Sequence, residues 1–201
     1  MSLLPRLLTV TVALAAILGV APALAGSASA ASEPAELEPL PSLNIPRYMG
    51  RWYQVAWFPN RFQRQCVTDT EAIYRALPDG LVEVDNRCRR ADGQMESILG
   101  AARPADAVRH GEELRPATLQ VSFLPAFLRW LPVGWAPYWV IQLAEDGRYS
   151  VVSEPTRQYL WVLSRTPVLS SADETAIRSR LQQQGFDLSR WQAHTHTTAG
   201  R

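Results

Sequence analysis

The stretch Arg51–Phe58 carries apolar side chains on both of its faces. Alternation at period two divides these side chains into two sets, Trp52, Gln54, Ala56 and Phe58 on one face and Tyr53, Val55 and Trp57 on the other. A strand that is apolar on both faces is typically buried on both, against a core on one face and against other elements on the other. The pattern therefore predicts the wall of a barrel or the centre of a sandwich.

Seven further strand-like stretches follow at short spacing, most of them separated by turns that contain Gly or Pro. They span residues 66–77, 81–88, 94–102, 117–124, 138–143, 148–152 and 159–164. The period then changes, since capping residues occur at 170–173 and both Ile177 and Leu181 share one helical face. We predict an all-β fold, an eight-stranded up-and-down antiparallel barrel with one C-terminal helix packed outside. The first and eighth strands would close the barrel, which could enclose one small ligand.

The connection at residues 124–137 is unusual because it combines aromatic side chains with repeated prolines, which forbid a regular strand or a long helix. Phe127, Trp130 and Trp135 all lie in this loop. A loop this apolar covers a cavity, contacts a membrane or a partner, or packs down on its own barrel. The sequence leaves these alternatives open.

The N-terminus has the pattern of a cleavable secretory signal, which we assign to residues 1–30. An apolar run at 7–20 precedes two Ala-x-Ala sites, which place cleavage after Ala25 or Ala30. A membrane anchor is the alternative, but the run is shorter than the roughly 20 residues that a spanning helix needs. The segment contains no cysteine for lipid attachment. We therefore expect an exported, soluble protein that is not a lipoprotein and is periplasmic, in the cell envelope or secreted.

The full sequence of 201 residues is 47% hydrophobic with a formal net charge of +1, which suits one globular domain. This near-neutral charge gives no reason to expect a nucleic-acid partner. Residues 31–43 are rich in small and polar types, which predicts a flexible lead-in. The barrel domain is expected at 44–192, followed by a solvated tail at 193–201.

The chain has two cysteines, Cys66 and Cys88, and an even pair in an exported protein favours a disulfide. The hairpin between their strands brings both sulfurs to the same end. A bond closing a loop of this length would stabilise the fold by roughly 3 kcal/mol. A reactive thiol or a metal ligand is the alternative, although no histidine lies close to either cysteine in the sequence.

Motifs for catalysis or metal binding do not stand out in the sequence. His110 lies in a polar connection, and the pair His194 and His196 lies in the predicted tail, where solvent exposure is more plausible than metal binding. No Ser-His-Asp order is persuasive, and no phosphate-binding glycine loop occurs. We predict no enzyme activity, no metal and no cofactor.

Three stretches resemble the signature regions of the lipocalin family. They are Gly50-x-Trp52-Tyr53, then Trp139–Ile141 with Tyr149–Val152, and finally Tyr159–Pro167. The likeness runs from about Asn44 to Trp191, and the chain resembles bacterial outer-membrane lipocalins and apolipoprotein D. Three regions in this order, followed by one helix, make the resemblance specific.

The resemblance implies a barrel that is closed at one end by the turn at residues 46–49. Gly50, Trp52 and Arg165 would then form a structural latch, in which the guanidinium stacks on the indole. Residues 124–137 would rim the open end, where membrane-surface contact is possible. The side chains that the resemblance places at the ligand are Tyr74, Trp161, Gln54, Ala56, Trp139, Tyr159 and Phe127. Relatives often carry Glu where this chain has Gln54. The alternative for these side chains is that they belong to the hydrophobic core and contact no ligand.

The expected function is to bind and carry a small hydrophobic or amphiphilic ligand, such as a fatty acid, a lysophospholipid or a similar lipid. One alternative is an interaction or structural protein of the envelope that holds no ligand. A thiol-dependent lipid isomerase is another, which would need Cys66 or Cys88 to be free. Binding of a coloured cofactor such as haem is the weakest alternative. The sequence does not assign an oligomeric state.

Overall fold

The computed structural model describes residues 35–105, 113–114 and 116–197. The predicted signal peptide, residues 31–34 of the predicted lead-in and residues 198–201 of the predicted tail lie outside these ranges. No helix within the described ranges has the length and apolar character needed to cross a bilayer.

Eleven strands and two α-helices make up the described structure, together with four short 3₁₀ turns. The strands are β1 Leu43–Asn44, β2 Gly50–Trp57, β3 Thr68–Ala76, β4 Val82–Arg89, β5 Met95–Pro104, β6 Glu113–Leu114, β7 Thr118–Ser122, β8 Ala136–Leu143, β9 Tyr149–Ser153, β10 Leu160–Ser164 and β11 Gln192–Ala193. The helices are α1 Ile45–Tyr48 and α2 Ser171–Gln183. The 3₁₀ turns are Arg61–Gln63, Ala126–Leu128, Pro132–Gly134 and Leu188–Arg190.

Eight of these strands form a closed antiparallel barrel, which confirms the predicted fold. Around the wall they run β10-β9-β8-β7-β5-β4-β3-β2, and β10 pairs with β2 to close the ring. The closing register places Ser164 opposite Tyr53 and Leu163 opposite Gln54. Strands β1 and β6 form a separate two-stranded ladder. The connections place α1 at one end and the loop between β7 and β8 at the opposite end.

Two apolar layers hold the fold together. One fills the lower half of the barrel, by which we mean the half near α1, and includes Trp52, Tyr74, Val140 and Leu163. The other lies between the outside of the wall and α2, where Ile177 and Leu181 are fully buried against residues such as Val151, Val162 and Phe58. Ser170 caps the N-terminus of α2, since its hydroxyl accepts from the Asp173 amide at 3.1 Å. Strand β2 is therefore covered on both faces, as its composition predicts.

A register shift in the pairing of β2 with β10 changes which side chains of β2 face inward. Val162 pairs with Ala56 and Leu163 pairs with Gln54, so Val55 is an extra residue on β2. Beyond this bulge, Ala56 joins the outer apolar layer with Val162, and Phe58 does the same. The expectation of unbroken alternation from Trp52 to Phe58 is therefore wrong after Gln54, because the bulge rotates the strand.

Helix α1 closes one end of the barrel, and Arg165 holds it there. The Arg165 guanidinium carbon lies 3.6 Å from the centre of the Trp52 ring. Its nitrogens donate to the carbonyls of Arg51 at 2.7 Å and Met49 at 3.0 Å, and they also reach two carbonyls within α1. The buried indole of Trp52 donates to the Tyr48 carbonyl at 2.9 Å. A planar guanidinium over an aromatic face combines cation–π attraction with several hydrogen bonds.

Gly50 makes the turn from α1 into β2 with a φ of +96°, a conformation that other residues adopt only with strain. A Cβ at this position would also lie 3.5 Å from Nη1 of Arg165. The three residues expected to form a structural latch, Gly50, Trp52 and Arg165, therefore lie in contact. Their role in stability remains a prediction.

Replacing Arg165 by Ala should lower the free energy of unfolding by about 2–3 kcal/mol, because it removes a cation–π contact and several charge-assisted hydrogen bonds. Urea denaturation followed by circular dichroism measures this change. Arg103→Ala is the matched control, since Arg103 also lies over an indole, that of Trp135, at 4.0 Å but holds no end of the barrel. The control should lose less than about 1 kcal/mol. Equal losses in both variants would contradict a latch at Arg165.

The chain before β1 is packed against the barrel, so the expectation of a flexible lead-in is wrong for residues 35–43. Leu37 is buried in the outer apolar layer, and Leu43 is buried in the inner one. The Leu40 amide donates to the Val140 carbonyl at 2.8 Å, and the Leu40 carbonyl accepts from the Ala117 amide at 2.9 Å. Three leucines in a segment rich in Pro and Glu are enough to dock it.

Residues 191–197, which we name the C-terminal strap, complete the wall where β2 and β3 separate. Strand β11 within the strap pairs with the end of β2. The His194 amide donates to the Val55 carbonyl at 2.9 Å, and the Asp69 amide donates to the Thr195 carbonyl at 3.0 Å. The expectation of a solvated tail is therefore wrong through Thr197, since the strap bonds to both flanking strands.

Both histidines of the strap bind the backbone of the strand beside them. Nε2 of His194 accepts from the Thr70 amide at 3.2 Å, and Nε2 of His196 lies 2.9 Å from the Gln54 carbonyl oxygen. Asp69, whose φ is +55°, accepts from the Thr197 amide at 2.6 Å. Burial lowers the pKa of His194 to about 4, and the nearby His196 ring acts in the same direction. The imidazole of His194 is thus neutral, as an acceptor must be.

Stability should fall as the pH drops from about 6.5 towards 4, because the unfolded chain binds the His194 proton more tightly than the folded protein does. The contribution is fully present above pH 6.5, and its loss should reach about 1–2 kcal/mol, since the ring is only partly buried. Urea unfolding between pH 7.5 and 4 measures it. His194→Gln keeps an acceptor without titrating, so its curve should be flatter. An identical slope in both proteins would exclude His194 as the source.

Candidate functional site

Three tyrosines meet inside the barrel near its closed end. The Tyr138 hydroxyl lies 3.0 Å from the hydroxyls of both Tyr48 and Tyr74, and the Tyr48 hydroxyl lies 2.9 Å from Oγ of Ser150. Burial raises the pKa of Tyr74, and the pKa of Tyr138 rises for the same reason. All three hydroxyls therefore stay protonated and form a neutral chain across the lumen.

A cavity of about 20 Å³ lies beside these tyrosines, which is room for one water molecule. Its lining consists of Ile45, Tyr48, Met49, Tyr74, Val82, Val84, Ala102, Leu119, Val121 and Tyr138. A larger hollow of about 310 Å³ lies outside the closed end, against Arg47, Trp52 and Arg148. Its charged groups are largely engaged, since Arg148 pairs with Asp146 at 2.9 Å and with Asp173 at 2.6 Å. The lumen is therefore the candidate site.

The barrel is open to solvent at its other end on the side of β5 and β7. Ile98 shares the inward face of β5 with Ala102, yet 51% of its surface is exposed. Phe123 follows β7 and is 37% exposed. Its ring lies so close to Gly100 that a Cβ there would be 2.7 Å from it. Glycine at this position thus lets Phe123 lie across the mouth.

The opposite side of the mouth is covered by the loop between β2 and β3. Nε1 of Trp161 donates to Oε1 of Gln63 at 2.9 Å, and Nε2 of Gln63 donates to Oε1 of Gln54 at 2.8 Å. Tyr159 stacks on Trp161 with ring centres 5.8 Å apart, and Phe62 lies 5.6 Å from Tyr159. An aromatic stack and a chain of side-chain amides thus line this side.

The structure separates the seven side chains that were expected at the ligand. Tyr74 lines the inner cavity, and Tyr159, Trp161 and Gln54 lie together at the mouth. Ala56 and Trp139 belong instead to the outer layer beneath α2, so their prediction as lumen residues is wrong. For Ala56 the cause is the bulge in β2. Trp139 lies between Tyr138 and Val140, both of the inner layer, and so points outward.

Phe127, the seventh of these residues, lies on the loop between β7 and β8 and is 74% exposed. Trp130 and Val133 on the same loop are 78% and 88% exposed. The loop is anchored by Trp135, which donates from Nε1 to the Arg129 carbonyl at 2.8 Å and packs under the guanidinium of Arg103. The loop is thus anchored at Trp135 and exposes the apolar side chains of Phe127, Trp130 and Val133 to solvent.

Several lumen residues were not predicted from the sequence. Tyr138 lies at period two before Val140, so alternation alone could have found it. Tyr48 lies in a short helix and Gln63 in a loop, and neither has a periodic pattern that would indicate its direction. Ile98 shares the face of Ala102, but no sequence pattern shows which positions of a strand reach an open mouth.

The two cysteines form the predicted disulfide, since Cys66 and Cys88 are bonded and no free cysteine remains. A thiol-dependent isomerase would therefore lack its thiol. Within the described ranges, no group of three or more His, Cys, Asp or Glu side chains is arranged to hold a metal ion.

Comparisons with known proteins agree on one family. The model of the Lipocalin-like domain matches residues 43–196. Temperature-induced lipocalin-1 of Arabidopsis thaliana is 36% identical over 160 residues, which covers 79% of this chain and 82% of that protein. The outer membrane lipoprotein Blc of Escherichia coli (strain K12) is 34% identical over 146 residues, which is 72% of this chain and 75% of the relative.

Solved structures show the same fold at low sequence identity. Insecticyanin from the tobacco hornworm Manduca sexta superimposes with a TM-score of 0.61 at 16% identity, covering 81% of this chain and 86% of that one. Lobster apocrustacyanin A1 gives a TM-score of 0.57 at 15% identity, with 78% and 81% covered.

Proposed function

Because this chain belongs to the lipocalin family, whose members bind small hydrophobic ligands, we propose that it binds and carries a fatty acid, a lysophospholipid or a similar amphiphile in its barrel. The observation that carries the proposal is the lumen itself. Its lower half is lined by apolar side chains and neutral tyrosines, and its upper end opens to solvent beside Ile98 and Phe123.

Burial of the hydrocarbon chain would supply most of the binding free energy, at about 25 cal/mol per Å² of apolar surface removed from water. The inner cavity is only about 20 Å³, so a hydrocarbon chain would enter only if side chains of the lumen changed rotamer. Phe123 and Ile98 are the side chains best placed to move, since both are partly solvated. No enzymatic step is part of this function.

The delipidated protein should take up one fatty acid per chain, as measured by native mass spectrometry after organic extraction. Ala102→Phe should weaken uptake at least tenfold, because Ala102 is buried in the lumen and the added ring would occupy volume that the hydrocarbon chain needs. Leu99→Phe is the control, since Leu99 lies on the same strand and is exposed on the outside. A folded wild-type protein that takes up no fatty acid would favour the alternative of an interaction protein without a ligand.

The loop that carries Phe127, Trp130 and Val133 supports a second part of the proposal, contact with a membrane surface. Three apolar side chains that project from an ordered loop can insert among lipid headgroups beside the mouth. A ligand could then pass between bilayer and lumen without crossing bulk water. This contact fits an exported protein, which the N-terminal pattern also predicts.

Trp130→Ser should weaken binding to phosphatidylcholine–phosphatidylglycerol liposomes about fivefold, because it removes the largest of the three exposed side chains. Co-sedimentation measures the bound fraction, and the emission of wild-type tryptophan should shift to the blue on binding. Val168→Ser is the control, since Val168 is 59% exposed and follows β10 at the closed end. Membrane contact through this loop would be excluded if both variants sediment like the wild type.

A further inference from the structure

The chain of amides at the mouth has a fixed direction. An indole nitrogen can only donate, so the Gln63 atom that faces Nε1 of Trp161 at 2.9 Å is its oxygen. The nitrogen of Gln63 therefore faces Gln54 and donates to its Oε1 at 2.8 Å. This leaves Nε2 of Gln54 as the free end, and that end is a donor. Asn60 agrees with this direction, since its Nδ2 also donates to Oε1 of Gln63.

Gln54 is buried, yet its Nε2 has no hydrogen-bond partner among the described residues. It is 3% exposed and lies opposite Leu163 of the inner layer, which places it on the inward face of β2. A buried donor without an acceptor is less stable than one that is paired, so a ligand oxygen that accepts from it would gain binding free energy. The free amide thus points to a ligand oxygen.

Thr70 provides a second donor beside the first. The pairing of β2 with β3 ends with Tyr53 opposite Glu71, so Gln54 and Thr70 are the next residues of the two strands beyond the last pair. Thr70 is 5% exposed, and its Oγ1 also lacks a partner within the described structure. The strap fixes both backbones here, since it bonds the Gln54 carbonyl and the Thr70 amide. One amide donor and one hydroxyl donor thus lie on neighbouring strands whose backbones are both fixed by the strap.

Among the described residues, no arginine bonds to Gln54 or Thr70, and Arg61 and Arg64, which flank Gln63 on the loop at the mouth, are exposed to solvent. The chain contains no lysine, so every basic side chain apart from histidine is an arginine. The arginines on β2, β3 and β4 pair with carboxylates of the outer surface, Arg51 with Glu71, Arg75 with Glu83, Arg87 with Asp85 and Arg89 with Asp69. A carboxylate buried at Gln54 would lose its hydration with no opposite charge to compensate, whereas an uncharged carbonyl would need only the hydrogen bonds that these donors supply.

We infer that Gln54 and Thr70 form a neutral donor subsite at the mouth, which selects amphiphiles that end in an uncharged carbonyl, as in an amide or an ester, over those that end in a carboxylate. This inference rests on the proposed function, because it specifies the ligand that the lumen holds. The hydrocarbon chain would lie towards the apolar cavity at Tyr74, and the carbonyl oxygen would accept from Gln54.

The test compares four probes that share one hydrocarbon chain length: oleamide, 1-monooleoylglycerol, oleate and the headless hydrocarbon 8-heptadecene. The delipidated full chain is titrated at pH 8, where oleate is ionised, by displacement of a fluorescent naphthylamine. Oleamide and monooleoylglycerol should bind about tenfold tighter than oleate. Equal or tighter binding of oleate would overturn the subsite but leave the carrier function standing. Failure of all four probes would overturn both.

Gln54→Met removes the donor at nearly constant volume, and it should reduce the preference for oleamide over oleate to within about twofold. Binding of 8-heptadecene should stay unchanged, which a merely misfolded variant would not show. Gln142→Met is the matched control, because Gln142 is equally buried but bonds Gln184 outside the lumen. Its preference should equal that of the wild type. Thr70→Val tests the second donor where Gln54→Met fails to fold, and an unaltered preference in the folded variant would overturn the subsite.

Discussion

The stacking of Arg165 on Trp52 is the contact on which the geometry of the lumen depends. It joins the residue after the last wall strand to the first wall strand, and its nitrogens hold the carbonyls of α1 at the same time. Because α1 is held across the barrel end, Tyr48 points inward and begins the row of hydroxyls that continues to Tyr138 and Tyr74. The floor of the lumen is thus built from both ends of the barrel sequence.

The two halves of the lumen have different chemistry for a simple reason. Near the closed end, hydroxyls satisfy one another, so an apolar chain can lie against them without leaving a polar atom exposed. Near the mouth, the amide chain from Trp161 through Gln63 to Gln54 ends in an unused donor. This difference between the two halves is the basis of the proposed preference for ligands with one polar end.

The fold could be predicted from the sequence because its signals are local. Alternation, hairpin turns and the change to helical period at residues 170–173 indicated eight strands and one helix. The disulfide was equally accessible, since one hairpin joins Cys66 to Cys88. The candidate site was predicted less completely. A bulge depends on the partner strand, so the outward position of Ala56 could not be known from β2 alone. The burial of His194 and His196 likewise depends on a gap between distant strands.

The C-terminal strap has a consequence for the order in which the barrel can be assembled. Strand β2 is the first wall strand in the chain, but one of its edges pairs with β10 and its end near the mouth pairs with β11. Both of these partners come last in the sequence. The contact between Gln54 and His196 spans 142 residues. A chain that emerges from its N-terminus therefore carries an apolar, half-paired strand through most of synthesis. Until β10 pairs with it, the open edge of such a strand can associate with other chains, so the barrel is protected from aggregation only when its last strands are in place.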